Sequence, residues 1–90
     1  MKYRTHVQIL SDVLDSVQQN PNIRWTKLIG RANVTHSRFG KIVDNLIGSG
    51  LVNEIIVDNR KTYVITEKGT VVLSEYKRFH DMASSFGLEL

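Results

Sequence analysis

Ser37, Arg38, Lys41 and Asn45 recur three and four residues apart, the spacing that lines side chains along one face of a helix. A hydroxyl, a guanidinium, an ammonium and an amide are the donors that can hydrogen-bond to base edges. A helix presenting them outward fits the major groove of duplex DNA. With residues placed 100° apart, Phe39, Ile42, Val43, Leu46 and Ile47 fill an arc of about 140°. Ser37, Lys41 and Gly48 lie opposite that arc, flanked by Arg38, Asn45 and Asp44. Asp44 would repel phosphates and is left out of the candidate site. His36 falls on the wheel beside Val43, yet a first-turn residue can project past the helix end, so packing and DNA contact are both open to it.

A mixed charged face on one helix is by itself most often a solvated face. Two further segments shift the balance. Lys27 and Arg31 stand one helical turn apart upstream, and Arg60 and Lys61 follow Asp58-Asn59 in a polar turn between two apolar runs. Backbone phosphates are held by scattered, positioning cations of this kind. From Arg24 to Lys61 there are seven bases and three acids, against five bases and six acids elsewhere. The net charge of +3 is therefore an excess confined to the middle of the chain, where it can attract a polyanion.

Other chemistries find less support. His6, His36 and His80 are far apart, with no His-x-x-x-His or Glu-x-x-His pair to offer metal ligands on one face, so no metal or other cofactor is expected. Gly48-Ser49-Gly50 follows a helix rather than a strand, which does not suit a phosphate loop. Asp12 and Asp15 resemble paired carboxylates but sit on the polar side of an amphipathic helix. Trp25, between Ile23 and Leu28-Ile29, reads as a core or wing-base residue rather than a stacking platform. No enzyme is expected. The absence of cysteine excludes a disulfide framework and thiolate zinc sites. The longest apolar runs are short, so no bilayer span or signal segment is expected, and the location implied is cytoplasmic, with association to the nucleoid.

The elements that must position these residues can be placed from local signals. Ile9, Leu10, Val13, Leu14 and Val17 mark a first amphipathic helix within Thr5 to Asn20, stopped by Pro21. Ile23-Arg24-Trp25 is short and of extended character. Thr26 is the expected cap of a second helix running to Ala32, with Leu28, Ile29 and Ala32 inward. Asn33-Val34 makes a turn, Thr35 caps a third helix spanning 35–49, and glycine ends it. Leu51 to Val57 and Thr62 to Thr66 read as a β-hairpin closed by a wing at 58–61. Thr66 then caps a last helix, 67–86, with Glu67 near the positive end of its dipole. Residues 1–90 make a single domain on this reading. The fold class is mainly α with a small antiparallel hairpin, a winged helix-turn-helix with an extended C-terminal helix.

The string T-K-L-I-G-R-A-N-V-T-H-S-R-F-G-K-I-V-D-N-L-I-G-S-G-L-V, followed by Y-V-I-T-E-K-G, resembles small archaeal winged-helix regulators, some of them abundant chromatin-associated DNA binders. The resemblance extends over about residues 4 to 86. It implies a homodimer joined by the C-terminal helix, with Thr35, Ser37, Arg38 and Lys41 of the third helix and Arg60 and Lys61 of the wing on DNA. Val34 and His36 stand where many relatives carry a leucine and a tyrosine or serine. The expected function is a sequence-preferring double-stranded DNA-binding protein in transcription regulation. Its full contact set is Thr35, Ser37, Arg38, Lys41, Asn45, Lys27, Arg31, Arg60 and Lys61. The alternatives are a winged-helix module that binds protein, which would carry an apolar patch on the same face, and a non-specific architectural chromatin protein. No residue points to a small-molecule effector.

Val72, Tyr76, Phe79, Ala83 and Phe86 alternate four and three residues apart, a 3.5-residue repeat that suggests a partner helix. The first half of this stripe is expected to pack on the first helix and the distal aromatics to meet a second copy in a short coiled-coil homodimer, aided by Val7 or Leu10.

Overall fold

The computed structural model describes residues 5–32 and 34–88. Along them run α1 (His6–Gln19), β1 (Ile23–Arg24), α2 (Trp25–Ala32), α3 (His36–Gly48), β2 (Val52–Val57), β3 (Arg60–Ile65) and α4 (Glu67–Ser85).

α1 opens on a capping box. Gln8 N donates to Thr5 Oγ1 at 3.1 Å while Thr5 N donates to Gln8 Oε1 at 2.8 Å, which satisfies two otherwise orphaned amides. Beyond Pro21, Asn22 takes the left-handed conformation (φ 62°) and turns the chain back into β1. Ile9, Val13, Leu14 and Val17 are buried and join Leu28, Phe39, Ile42, Val43, Leu46, Tyr63 and Leu73 in one core.

The hairpin expected from the sequence is part of a three-stranded antiparallel sheet of order β1-β3-β2, because Ile23 pairs with Tyr63 and Arg24 with Thr62. That pairing carries extended chain up to Trp25, where α2 begins, so Thr26 lies inside the first turn instead of capping it. Trp25 packs its ring edge-on to Phe39 at 4.8 Å and tilted toward Tyr63 at 6.1 Å, as its apolar neighbours suggested. Val34 is half-buried against the core, and Asn33, expected in the same turn, lies outside the described residues.

Thr35 caps α3, its hydroxyl accepting from Arg38 N at 3.4 Å. At the other end Gly50 adopts φ 76°, Leu51 N donates to Leu46 O and Gly50 N to Ile47 O, both at 3.0 Å. This is the helix stop that a glycine makes without steric cost. The chain then enters β2, and Asp58 and Asn59 (φ 52° and 62°) form a two-residue turn of the twist that suits a hairpin. Arg60 and Lys61, expected in that turn, are instead the first residues of β3, opposite Val57 and Ile56.

Thr66 caps α4 by accepting from Gly69 N at 2.9 Å, and its own hydroxyl lies 2.7 Å from Gly50 O, tying the start of α4 to the end of α3. Gly69 is buried against the Leu51 carbonyl and Ile65. α4 enters the core through Leu73, and Lys77 pairs with Asp15 of α1 at 2.8 Å. Val72, expected to pack on the first helix, is exposed, because docking through Gly69 and Leu73 turns it away. Among the described residues no helix is long and apolar enough to cross a membrane.

Candidate nucleic-acid interface

α3 buries Phe39, Ile42, Val43 and Leu46 and leaves Ser37, Arg38, Lys41, Asp44 and Asn45 in water. Arg38 to Asn45 spans about 10 Å of helix axis, the rise of roughly three base pairs. Thr35 is exposed at the helix start with one lone pair spent on the cap. Asn45 Oδ1 accepts from Ser49 Oγ at 3.4 Å, which leaves the amide hydrogens to face outward as donors. His36, undecided between packing and contact on the helical wheel, is exposed. Its place in the first turn, beyond the reach of the core, is what decides between the two.

α2 presents Lys27 and Arg31 outward while Leu28 and Ala32 are buried. On the wing, β2–β3 pairing sets the direction of each side chain. Tyr63 and Val52 point into the core, so Thr62 and Arg60 belong to the outer face of the sheet, and Lys61 to the opposite face beyond the core's edge. The two wing bases are thus separated by the strand itself. Thr62 Oγ1 donates to Ile55 O at 2.9 Å, and Tyr63 donates its hydroxyl to Glu54 at 3.2 Å, two cross-strand ties that stiffen the wing's base. Burial, and then the Glu54 carboxylate, raise the Tyr63 pKa well above the ordinary tyrosine value.

Lys27, Arg31, Arg38, Lys41, Arg60 and Lys61 have no ion-pair or side-chain hydrogen-bond partner among the described residues, in contrast to Lys77 on α4. Their charge is available to a ligand. Two shallow depressions adjoin these bases. One of about 410 Å³ is lined by Asn22, Arg24, Val57, Asp58, Arg60 and Thr62. The other, of about 340 Å³, is lined by Asn20, Asn22, Ile23, Arg24, Lys27 and Arg31. Arg24 belongs to both; sequence reasoning counted it only as one more central base, because a two-residue strand shows no periodicity to orient it. Among the described residues no cluster of His, Asp and Glu could hold a metal ion.

α4 ends at Ser85 with Phe86 as its C-cap, one residue short of the expected helix; Phe79 and Phe86 are 52% and 77% exposed, whereas Tyr76 is half-buried and Ala83 only 3% exposed. Met82, absent from the expected stripe, is exposed. The open apolar face is therefore Val72, Phe79, Met82 and Phe86, within an arc of about 80°.

Residues 3–84 match the family model described as winged helix-turn-helix. Among solved structures, Sso10a-2, a DNA-binding protein from Sulfolobus solfataricus, superposes with a TM-score of 0.80 at 26% identity, covering 92% of this chain and 85% of that one. The PcaV transcriptional regulator from Streptomyces coelicolor gives 0.76 at 20% identity over 87% of this chain and 60% of its own. FabT from Streptococcus pneumoniae, solved in complex with DNA, gives 0.70 at 18% identity over 84% and 55%. The chain thus spans little more than half the length of these last two. No curated protein matches the sequence.

Proposed function

This chain belongs to the winged helix-turn-helix family, and from that premise we propose that it is a sequence-preferring double-stranded DNA-binding protein that regulates transcription. The observation that carries the proposal is the set of exposed, unpartnered bases on α2, α3 and the wing, segments that the fold joins around a helix-turn-helix. Arg38 and Lys41, with Ser37 and Asn45 beside them, read base edges in the major groove. Thr35, Lys27, Arg31, Arg60 and Lys61 hold phosphates. A protein-binding module would place an apolar patch on the same face, and the exposed face of α3 carries no large apolar side chain.

The protein acts as a homodimer joined through α4. Val72, Phe79, Met82 and Phe86, with Val71 nearby, leave on the order of 500 Å² of apolar surface in water per protomer, and a symmetric pair would cover about 1,000 Å², the lower bound for a stable interface. Two such protomers place two α3 helices for successive major grooves, about 34 Å apart.

Fluorescence anisotropy on a preferred and a scrambled duplex tests the reading. Arg38→Ala or Lys41→Ala is expected to weaken the preferred site by about 1 to 3 kcal/mol and to relax preference. Arg60→Ala with Lys61→Ala is expected to weaken both duplexes alike and to lower the salt slope by up to about two. Wild-type binding to both duplexes by the Arg38 and Lys41 variants removes the assignment of α3 as the reading helix. Equal affinity of the wild type for every duplex makes the protein architectural instead.

A further inference from the structure

The two depressions beside β1 share Asn22 and Arg24 as lining residues and so adjoin each other between the wing tip and the outward side of α2. Their bases come from three elements. Arg24 lies opposite Thr62, and Arg60 is two residues from Thr62 on the same face, so Arg24 and Arg60 are diagonal neighbours about 7 to 8 Å apart. Lys27 follows in the first turn of α2 and Arg31 one turn beyond it, which extends the row to about 20 Å. Asp58, at the wing tip, is the one carboxylate among the lining residues. None of the four bases has an ion-pair partner among the described residues.

Like charges on a convex surface lean apart into water. Here they border two adjoining depressions, one walled in part by Val57 and the other by Ile23 and Asn20, with Asn22 common to both, and such clefts focus positive potential. One Nδ2 hydrogen of Asn20 is spent on Ser16 O at 2.9 Å, so its second hydrogen and the amide of Asn22 are the neutral side-chain amide donors that the lining offers. The row is elongated and shallow, and only an extended polyanion would meet all four bases at once.

We propose that Arg24 is the centre of a second phosphate track, Arg60–Arg24–Lys27–Arg31, which holds the sugar–phosphate backbone of the bound duplex outside the base pairs that α3 reads. This rests on the DNA-binding function proposed above. It adds Arg24 as a contact residue and separates the wing's two bases: Arg60 serves this track, while Lys61, on the other face of the strand, serves the backbone beside α3.

The test compares wild type, Arg24→Gln and Arg24→Lys on two duplexes, one trimmed to the preferred site and one extended by a helical turn on each side, over a range of salt. On the extended duplex Arg24→Gln is expected to bind about 3- to 10-fold more weakly, with the slope of log K against log salt lowered by about one, and Arg24→Lys to restore the slope. On the trimmed duplex all three are expected to bind alike. Thermal melting confirms that this exposed residue is not needed for folding. If Arg24→Gln keeps the wild-type slope on the extended duplex while Arg38→Ala still loses preference, the track is wrong and the DNA-binding reading stands. An equal loss on the trimmed duplex places Arg24 within the read segment and also overturns the proposal. Failure of the wild type to bind either duplex removes the DNA-binding reading itself, and the track with it.

Discussion

Replacing Phe79 by aspartate strikes the middle of the exposed apolar face of α4. A phenylalanine offers about 200 Å² of surface, and Phe79 leaves 52% of its own in water, so about 100 Å² per protomer is available to an interface. At about 25 cal/mol per Å² this burial contributes about 2.5 kcal/mol, and a two-fold axis counts it twice, giving about 5 kcal/mol for the pair. The substitution loses that term and adds two carboxylates to the seam, either buried or facing each other. The dimer dissociation constant is expected to rise by at least about three orders of magnitude. Folding of the protomer should be little affected, since Phe79 takes no part in the core. Light scattering coupled to size exclusion reads the result directly: wild type near twice 10.3 kDa at tens of micromolar, Phe79→Asp near 10.3 kDa. DNA affinity should fall in parallel, because each half-site is then bound separately. A monomeric wild type at that concentration, or a Phe79→Asp protein that stays dimeric, refutes the assignment of this face.

Gly69→Ala would drive a methyl group into the Leu51 carbonyl and to 2.7 Å from Ile65 Cγ1. An overpacking cost of about 1 to 3 kcal/mol and a Tm lower by roughly 5 to 20 °C are expected, even against the gain in helix propensity. Gly30→Ala, with nothing within 4 Å of the added carbon, should instead stabilise by about 0.5 to 1 kcal/mol, and equal melting of the two variants would contradict the packing argument. Burial and then Glu54 raise the Tyr63 pKa, so the folded state holds that proton more tightly than the unfolded chain, whose tyrosine titrates near 10. Its contribution to stability is fully present below about pH 10 and is lost as pH climbs toward the folded value. Urea midpoints measured from pH 8 to 11 should therefore converge for wild type and Tyr63→Phe at the alkaline end; a constant difference would show that Tyr63 does not ionise on unfolding.

Much of this architecture is written locally. Thr5, Thr35 and Thr66 each precede an amphipathic run and each caps a helix, because a cap needs only a hydroxyl and amides three residues away. Gly50 ends α3 for an equally local reason, its tolerance of positive φ. The outward face of α3 was legible too, since a helical period of buried residues fixes what lies opposite. The wheel left His36 open, in the first turn, where a residue at a core angle can still lie beyond the core, and the fold exposes it.

Pairing and docking had to be decided in three dimensions. β1 is two residues long, too short for any alternation, and becomes a strand because β3 offers it an edge; with it Arg24 comes to stand between Arg60 and Lys27. Charge composition placed the bases in the middle of the chain, but only strand register separates Arg60 from Lys61 onto opposite faces. On α4 the apolar residues spread over about 200° of the helix, so spacing allowed more than one inward face. Close approach at Gly69, burial of Leu73 and the Lys77–Asp15 pair choose the rotation, turning Ala83 in and leaving Val72, Phe79, Met82 and Phe86 outward. The sequence by itself determined which segments are helix and where each stops, because those signals act over one turn. Which surfaces face one another was settled by contacts between residues far apart in the chain, and these decide where the unpaired bases gather and which apolar side chains of α4 stay exposed.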